Sequence, residues 1–453
     1  MEQSTLQSQV ILRDLGDGLV LRRSTMADAD ALSEFNAIIH GDFETNTREE
    51  GVGIWTRDLL TRPHPTFDPG DFTIVEDARA GKIVSSLNLI NQTWQYAGIP
   101  FKVGRPELVG TLPEYRKRGL VRAQFDEVHR WSAERSQLVQ AITGIPHYYR
   151  QFGYEMAVNL GGGKAGYRSQ IVELKDGETD PYQVRPAGCE DIPFLQSLYA
   201  QYCQRSLLSA VRDVDLWRYE LNGRSEANVN TNAIRIIEIA TTGQPVAFFA
   251  HPTMLWGSLM VATVFEVVHG QTYLPITNCV IRYLRATGEA IAQAQGGSAV
   301  WDSFGFWLGS KHPVYDVLYE RLPRERKPYA WYLRVADIPG FLRHIRSILE
   351  RRLNESPMAG YTGEIKISFY RSGLRLVLES GCLKTIESWQ PTPVGHAGDA
   401  GFPNLTFLQL LFGYHSLEEL VDFLPDVYVH KAEVAPLLNS LFPKQSSDIW
   451  AIS

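Results

Sequence analysis

Several features that define protein classes are scarce or missing in this sequence, and each absence narrows what the chain can be. Its four cysteines, Cys189, Cys203, Cys279 and Cys382, lie far apart and lack the paired spacing of a zinc site or a disulfide framework. No apolar run approaches the roughly 18 residues of a membrane span. The N-terminus has neither the basic nor the apolar segment of a signal peptide. We therefore expect a cytoplasmic protein with reduced thiols, no metal site and no membrane span.

Positive charge is also in the minority. The chain has 44 Lys and Arg residues against 51 Asp and Glu, a formal net charge of −7. This balance argues against nucleic acid as the main partner and is weakly compatible with a cationic substrate. An apolar content of 44% is typical of a folded protein, and 453 residues suggest about three domains.

The first part of the chain alternates strand and helix patterns. The hydrophobic period predicts a strand over 19–25, a helix over 27–39, a hairpin of 72–77 and 82–90, a strand over 100–112, a helix over 120–135 and a strand over 138–145. This order predicts a mixed α/β layer fold. The polar segment 174–183 then reads as a linker.

An internal echo follows the linker. Residues 184–195 repeat features of residues 21–32, with Arg185 in the place of Arg22 and Asp191 in the place of Asp28. Residues 312–320 likewise resemble 146–155. We interpret residues 182–335 as a second copy of the first fold. The alternative is a chance match between two generic strand-to-helix entries.

The third part predicts a separate α+β unit. A helix with Asp337 as N-cap is predicted over 337–353. The strand-like runs 364–370 and 374–380 flank a hairpin turn, and helical stretches lie near 404–422 and 431–442.

The least ordinary stretch is "LVGTLPEYRKRGLVRAQF", residues 108–125. Arg116, Lys117, Arg118 and Gly119 stand where a strand leads into a helix. Unpaired N–H groups and the helix dipole make a helix start attractive to anions, and glycine allows a ligand to approach the backbone closely. The pattern predicts a phosphate or pyrophosphate site. The alternative is a solvated basic helix start. A P-loop is excluded, because GxxxxGK[ST] is missing.

These residues resemble the acetyl-CoA motif of the GNAT acyltransferases, Arg/Gln-x-x-Gly-x-Gly/Ala after a strand. Residues 116–121 match it except at Val121, which replaces a small residue and implies a slightly looser approach of the helix to the pyrophosphate. The resemblance implies that acetyl-CoA is the co-substrate. The residues it implies for binding acetyl-CoA are Leu108, Val109, Thr111, Arg116, Lys117, Arg118, Gly119, Leu120 and Val121.

A narrower resemblance extends over the chain. "PEYRKRGLVRAQF", "HYYRQFGYE" and "AWYLRVADIPGFL" look like the enhanced intracellular survival (Eis) family of bacterial N-acetyltransferases. That family implies a catalytic GNAT domain at 1–178, a degenerate, structural GNAT-like domain at 179–335 and a sterol-carrier-protein-like α+β domain at 336–453. It also implies a homo-oligomer, by resemblance a hexamer.

The resemblance also implies catalytic residues. Tyr149 matches the family's general acid, five residues before the tyrosine of "FGY", and a tyrosine keeps its proton at neutral pH. A shift of one residue would select Tyr148 instead. The C-terminal carboxylate, here of Ser453, is implied as general base. Trp450 and Ile452 could tie that tail into a groove, and a frayed terminus is the alternative.

The predicted reaction is acetyl transfer by direct attack in a ternary complex. The acceptor would be a primary amine of a cationic small molecule or peptide, such as an aminoglycoside, a polyamine or a lysine side chain. The acidic segment 40–50 could contact it, or could be a solvated loop. A different class remains open: a lipid or hydrophobe carrier that uses the C-terminal domain.

Overall fold

A computed structural model of the chain describes residues 10–296, 299–392 and 398–453. In the first part, strands and helices alternate as the hydrophobic pattern indicates. Its elements are β1 (Ile11–Gly16), β2 (Leu19–Arg23), α1 (Ala29–Ile39), α2 (Glu50–Thr61), β3 (Phe72–Asp77), β4 (Lys82–Tyr96), β5 (Ile99–Thr111), α3 (Leu120–Glu134), β6 (Val139–Ile142), β7 (Glu155–Leu160) and β8 (Gly163–Tyr167). Helix α1 buries Leu32 and Phe35 at helical spacing against the sheet.

The second part has a similar order of strands and helices. Its elements are β9 (Tyr182–Pro186), α4 (Ile192–Gln204), β10 (Leu208–Ala210), α5 (Val214–Asn222), β11 (Asn232–Ile239), β12 (Pro245–Pro252), β13 (Leu259–Ala262), β14 (Val264–Val267), α6 (Tyr273–Ala294), β15 (Ser303–Phe306), α7 (Pro313–Val317), β16 (Arg324–Arg326) and β17 (Tyr329–Arg334).

The third part is an α+β unit whose sheet runs β20-β19-β18-β21-β22. Its elements are α8 (Ile338–His344), α9 (Arg346–Asn354), β18 (Gly363–Ser368), β19 (Gly373–Glu379), β20 (Cys382–Trp389), β21 (Ala400–Gly401), α10 (Phe407–Leu411), α11 (Leu417–Phe423), β22 (Tyr428–Val429) and α12 (Val434–Leu441). The Asp337 carboxylate accepts a hydrogen bond from Gly340 N at 2.9 Å, so the predicted N-cap is confirmed. The single helix predicted over 337–353 is two, because the chain breaks at Ile345.

The first two parts exchange strands. The first sheet runs β1-β2-β3-β4-β5-β6-β17-β7, so β17, from the end of the second part, lies between β6 and β7. In return, β8 leaves the first part and lies between β15 and β16 in the order β13-β15-β8-β16. Each of the two inserted strands is antiparallel to both neighbours. Strand β10 of the second part also pairs with β4 at the first sheet. A division at 178/179 and 335/336 therefore leaves β10 and β17 of the second unit in the first sheet and β8 of the first unit in a sheet of the second.

The sequence echo corresponds to the same hydrogen-bond pattern in both parts. In the first part Arg22 donates through both terminal nitrogens to Asp28, at 3.0 and 2.8 Å, and through Nε to Glu76 at 2.7 Å. In the second part Arg185 donates in the same way to Asp191, at 2.6 and 2.8 Å, and to Glu238 at 2.6 Å. A chance match does not explain this repetition of bidentate pairs at corresponding places.

The C-terminal tail is packed between the parts rather than frayed. Ile452 is buried with Leu216 and Tyr219 of α5. The Trp450 ring lies under the Arg212 guanidinium, 3.7 Å from the ring centroid. The prediction that these two bulky residues tie the tail into a groove is confirmed.

No helix among the described residues is long and apolar enough to cross a membrane. All four cysteines are free; Cys279 is buried, whereas Cys189 is exposed at the start of the one-turn helix before α4. Cys189 is therefore an exception to the expected placement of thiols in or near cores.

Candidate active site

The site begins where two parallel strands diverge. Strands β5 and β6 pair only at Val103–Val139 and Gly104–Gln140 within the described residues, although β5 continues to Thr111. Beyond Gly104, the edge of β5 that faces β6 has no strand partner. Backbone N–H and C=O groups on such an edge are available to a ligand that lies between the strands.

A bulge marks the open part of β5. The pairing register with β4 shifts between Ser86 and Asn88, and Leu108, opposite this point, has a φ of 52°. A positive φ is uncommon for a branched residue and occurs where the surrounding structure holds it. The bulge changes the direction of the β5 backbone at the predicted pantetheine-binding residues.

The loop from β5 to α3 contains two more left-handed residues, Lys117 (φ 62°) and Gly119 (φ 78°). Gly119 is the residue before the first turn of α3, and a Cβ built there would meet no atom within 4 Å. Open space at this glycine leaves the first N–H groups of a fifteen-residue helix accessible to an anion.

The three cations of this loop are exposed and only weakly engaged. Arg116 donates to the Thr111 carbonyl at 3.2 Å, and Arg118 forms an exposed pair with Asp17 at 3.2 Å. The Lys117 ammonium has no hydrogen bond or ion pair in the part of the chain that the structure describes. These charges are free to contact phosphate groups.

One cavity of about 980 Å³ connects these features. All nine residues predicted to bind acetyl-CoA line it, as do Tyr148 and Tyr149. Ile39 and His40, at the end of α1, line another side. The acidic segment that follows them is exposed at Asp42, Glu44, Glu49 and Glu50.

Tyr149 and Tyr148 differ in burial. Tyr149 is 3% exposed. Its hydroxyl lies close to Gly144, just after β6: a Cβ added to that glycine would be 3.6 Å from the hydroxyl oxygen. Burial raises the pKa of Tyr149, and the nearby charge of Glu107 raises it further. Tyr148 is half-buried beside Phe152. Both rings reach the cavity, but Tyr149 has the environment that more strongly retains a phenolic proton.

Strand β17 supports this turn from the second part of the chain. The Tyr332 hydroxyl accepts a hydrogen bond from the backbone N–H of His147 at 2.7 Å. The rings of Tyr332 and Tyr149 meet edge to face, with centroids 5.8 Å apart. The exchanged strand therefore fixes the start of the turn that carries Tyr149.

Ser453 lies elsewhere. It is buried, but it is not among the described residues that line the cavity. Its carbonyl oxygen accepts hydrogen bonds from Arg224, at 2.8 and 3.2 Å, and from the Tyr219 hydroxyl at 3.4 Å. The structure thus brings together every predicted site residue except Ser453, whose terminal group is held by a buried cation.

Glu107 is a cavity residue that sequence reasoning missed. Its carboxylate pairs with Arg105 at 2.7 Å, and the same guanidinium donates to the Ser453 hydroxyl at 2.7 Å and to the Ile452 carbonyl at 2.6 Å. Arg105 therefore links the C-terminal tail to Glu107. The available signal was an acidic residue directly before the bulge, two residues after Arg105 in the same strand.

The second part lacks the equivalent of the cationic loop. Residues 268–272, "VHGQT", connect β14 to α6 without a lysine or an arginine. In the turn that echoes 146–155, the Tyr315 hydroxyl bonds to Phe306 O at 3.0 Å and accepts from Leu308 N at 3.2 Å. That hydroxyl is engaged by its own backbone.

Among the described residues, no group of three or more His, Cys, Asp or Glu side chains is arranged to hold a metal ion.

Residues 25–157 match the model of a known family, the acetyltransferase (GNAT) domain. No curated protein sequence matches the chain. The matched segment contains the cationic loop, the bulge and Tyr149, so the enzyme class predicted from the sequence, an acetyltransferase of the GNAT superfamily, is confirmed.

Solved structures share the fold of nearly the whole chain. A GCN5-related N-acetyltransferase from Anabaena variabilis is 14% identical, with a TM-score of 0.60 over 95% of this chain and 99% of its own. A probable N-acyltransferase from Enterococcus faecalis is 13% identical, with a TM-score of 0.61 over 96% and 100%. Eis1 from Mycobacterium abscessus is 13% identical, with a TM-score of 0.54 over 98% of both chains. The fold is therefore Eis-like.

Proposed function

Because residues 25–157 form a GNAT acetyltransferase domain, we propose that the protein transfers the acetyl group of acetyl-CoA to a primary amine of a cationic small molecule or peptide. One observation carries the proposal. The splayed strands, the cationic loop and a buried tyrosine line a single cavity.

The residues present fit the proposed co-substrate. The open space at Gly119, the first N–H groups of α3 and three exposed cations would hold a pyrophosphate. The unpaired edge of β5 would hold an extended pantetheine arm, because such an arm offers amide groups that pair like a strand.

The cationic loop gives a direct test. Arg116→Ala with Lys117→Ala should weaken acetyl-CoA binding roughly tenfold or more at low salt, since charge-assisted bonds to phosphate are lost. The difference from the parent should shrink as salt is raised, because the contacts are exposed and screened. Isothermal titration calorimetry with acetyl-CoA measures both effects.

A matched control removes two exposed cations outside the cavity, with Arg57→Ala and Arg218→Ala. The control has the same change in net charge and should bind acetyl-CoA like the parent. A loop variant that stays within twofold of the parent at low salt would contradict the assignment.

In the proposed mechanism, Tyr149 donates its proton to the departing thiolate. Acetyl-CoA supplies an activated thioester, and this chain's residues supply orientation and proton transfer. The raised pKa of Tyr149 keeps the phenol protonated at neutral pH. The proton passes to the sulfur as the bond between the acetyl carbon and the sulfur breaks. Backbone N–H groups along the open edge of β5 would polarise the thioester carbonyl.

We propose Glu107 as the group that removes the proton of the acceptor amine. It lines the same cavity as Tyr149. The base role predicted for Ser453 stays a prediction, since its carbonyl oxygen lies against Arg224. We propose instead that Ser453 positions Glu107 through Arg105.

The acceptor is proposed to be cationic because, beyond the end of α1, the exposed segment 40–50 has four carboxylates and a single arginine. Glu107 faces the cavity, and exposed Asp42, Glu44 and Glu49 follow its wall at His40. The excess of negative charge on that segment would attract ammonium groups and raise their local concentration.

The proposed function is tested by acetyl-CoA stoichiometry and by acetyl-CoA-dependent thiol release. Calorimetry should show one site per chain, because residues 268–272 lack cations. Thiol release should accelerate with at least one member of a panel containing kanamycin, spermidine and a lysine peptide. Two equivalent sites per chain would overturn the proposed structural role of the second part. The absence of acetyl-CoA binding would favour the carrier hypothesis.

A further inference from the structure

A second cavity, of about 600 Å³, lies where all three parts of the chain meet. The β4–β5 hairpin lines it with Gln95, Ala97 and Gly98. Helix α4 and strand β10 line it with a longer segment of the second part, and α9 adds Arg351 and Arg352. The volume is in the usual range for a small-molecule site.

The charge of this cavity is one-sided. Arg212, Arg351 and Arg352 line it, whereas its described lining contains no Asp or Glu. Arg352 donates to the Tyr96 hydroxyl and the Leu441 carbonyl, both at 3.0 Å, so neutral groups fix it without cancelling its charge. The exposed Arg351 side chain forms no hydrogen bond or ion pair with any described residue. Like charges collected in one concavity repel each other and favour an anion.

Arg212 is a buried cation in the wall of the cavity. It is 6% exposed, and its Nε donor has no hydrogen-bond partner in the described chain. Its other contacts fix the guanidinium: Nη2 donates to the Trp450 carbonyl at 2.8 Å, and Nη1 lies 3.2 Å from Glu220. The side chain has no exposed surface, so Arg212 adds a fixed positive charge behind the lining rather than a direct contact to a ligand.

The charge of Arg212 is partly shared with a buried cluster. Burial acts to raise the pKa of Glu220, but Arg224 and Arg212 more than offset this and lower it. Glu220 is thus ionised and balances one of these two arginines, while Arg351 and Arg352 remain uncompensated. The cavity keeps an excess positive charge near its α9 side.

The neutral lining also suits a small polar ligand. Gln95, Gln196, Gln204 and Gln445 offer amide groups that both donate and accept. Tyr199, Ala200 and Ala210 supply an apolar side on which a short carbon skeleton could rest. The Cys203 thiol, also in the lining, has its pKa raised by burial and is therefore uncharged at neutral pH.

We propose that this cavity binds a small organic dianion, with its phosphate or carboxylate groups held by Arg351 and Arg352. The site is separate from the acetyl-CoA cavity, and none of its described lining residues is shared with it. The proposal stands independently of the proposed acetyl transfer.

The test uses the full chain saturated with coenzyme A, so that the cationic loop at Arg116–Arg118 is occupied. Inorganic phosphate and succinate are the two probes, and calorimetry measures their binding. At least one should bind with a dissociation constant below about 20 mM, a range in which weak anion sites are measurable. Tighter binding of phosphate would identify a phosphorylated ligand, and tighter binding of succinate a carboxylate.

Two variants test whether the anion binds in this cavity. Arg351→Gln removes an unpartnered exposed cation, and Gln204→Glu adds an opposing charge on an exposed side chain of nearly the same shape. Each should weaken binding about fivefold or more, because close charge contacts are altered. Arg346→Gln, on the same helix but outside the cavity lining, is the control and should bind like the parent.

Two results would overturn the proposal. One is that neither probe binds below that concentration. The other is that Arg351→Gln and Gln204→Glu bind the probe as tightly as the parent, since the anion would then occupy another place on the surface.

Discussion

Tyr149→Phe should lower kcat by roughly 10²-fold or more, the usual scale of general-acid assistance. The substitution removes only the hydroxyl, and the remaining ring keeps its edge-to-face contacts with Phe125 and Tyr332. Acetyl-CoA affinity and the thermal unfolding midpoint should therefore hardly change. Steady-state thiol release with a responsive amine, together with calorimetry, measures the separation of kcat from binding.

Tyr148→Phe is the matched control, because the two tyrosines are adjacent and both line the cavity. It should lose much less activity. A dead Tyr148→Phe with an active Tyr149→Phe would move the acid by one residue and leave the rest of the proposal intact. Normal turnover in both variants would contradict proton donation by either phenol.

Glu107→Gln should reduce kcat/KM by about 10²-fold at neutral pH, where the acceptor is an ammonium that must lose a proton. The isosteric amide keeps the volume and removes the charge. Activity should recover as pH rises toward the pKa of the amine, because a growing fraction of acceptor is then already neutral. A pH profile of kcat/KM measures this recovery, and a loss that is the same at all pH values would contradict a base role.

The role of the C-terminal tail can be tested by extending it, both in the parent and in the Glu107→Gln variant. Appending two residues after Ser453 displaces the groups held by Arg224 and Arg105 and should lower kcat. If the tail acts through Glu107, the extension should cost little more in the Glu107→Gln background, since the effects of coupled groups are not additive. A full additional loss in that background would favour Ser453 as the base. Ser453→Ala removes the hydroxyl that Arg105 contacts and keeps the terminal carboxylate, so it should lower kcat if the tail acts through Arg105 and leave kcat unchanged if the carboxylate is the base.

Local signals predicted much of the fold. The Arg22–Asp28 and Arg185–Asp191 pairs were visible as a sequence echo, because each depends on residues six apart at a strand-to-helix entry. The cationic loop was visible for the same reason, since residues 116–121 are contiguous. The arrangement of a contiguous motif depends mainly on its local backbone, which the sequence pattern predicts. The structure places residues 116–121 in one cavity.

Contacts between residues far apart in the sequence could not be predicted from it. Nothing in residues 329–334 shows that β17 pairs with β6 and β7, because a buried strand has the same pattern in either sheet. The position of Ser453 depends on Arg224, which is 229 residues away in sequence. Glu107 was missed because the sequence does not show that the bulge places this carboxylate in the cavity or that it pairs with Arg105.

The strand exchange has a consequence for how such a chain evolves. The topology resembles that of a swapped dimer whose two units are joined in a single polypeptide by the segment between β8 and β9. The second unit has neither a lysine nor an arginine at 268–272, and its Tyr315 hydroxyl is bonded to its own backbone. Loss of that unit itself would remove β17 and the Tyr332 hydroxyl that holds His147. Selection on the cavity of the first part would therefore retain the second part even without a binding site of its own, because the first sheet and the turn at His147 depend on β17.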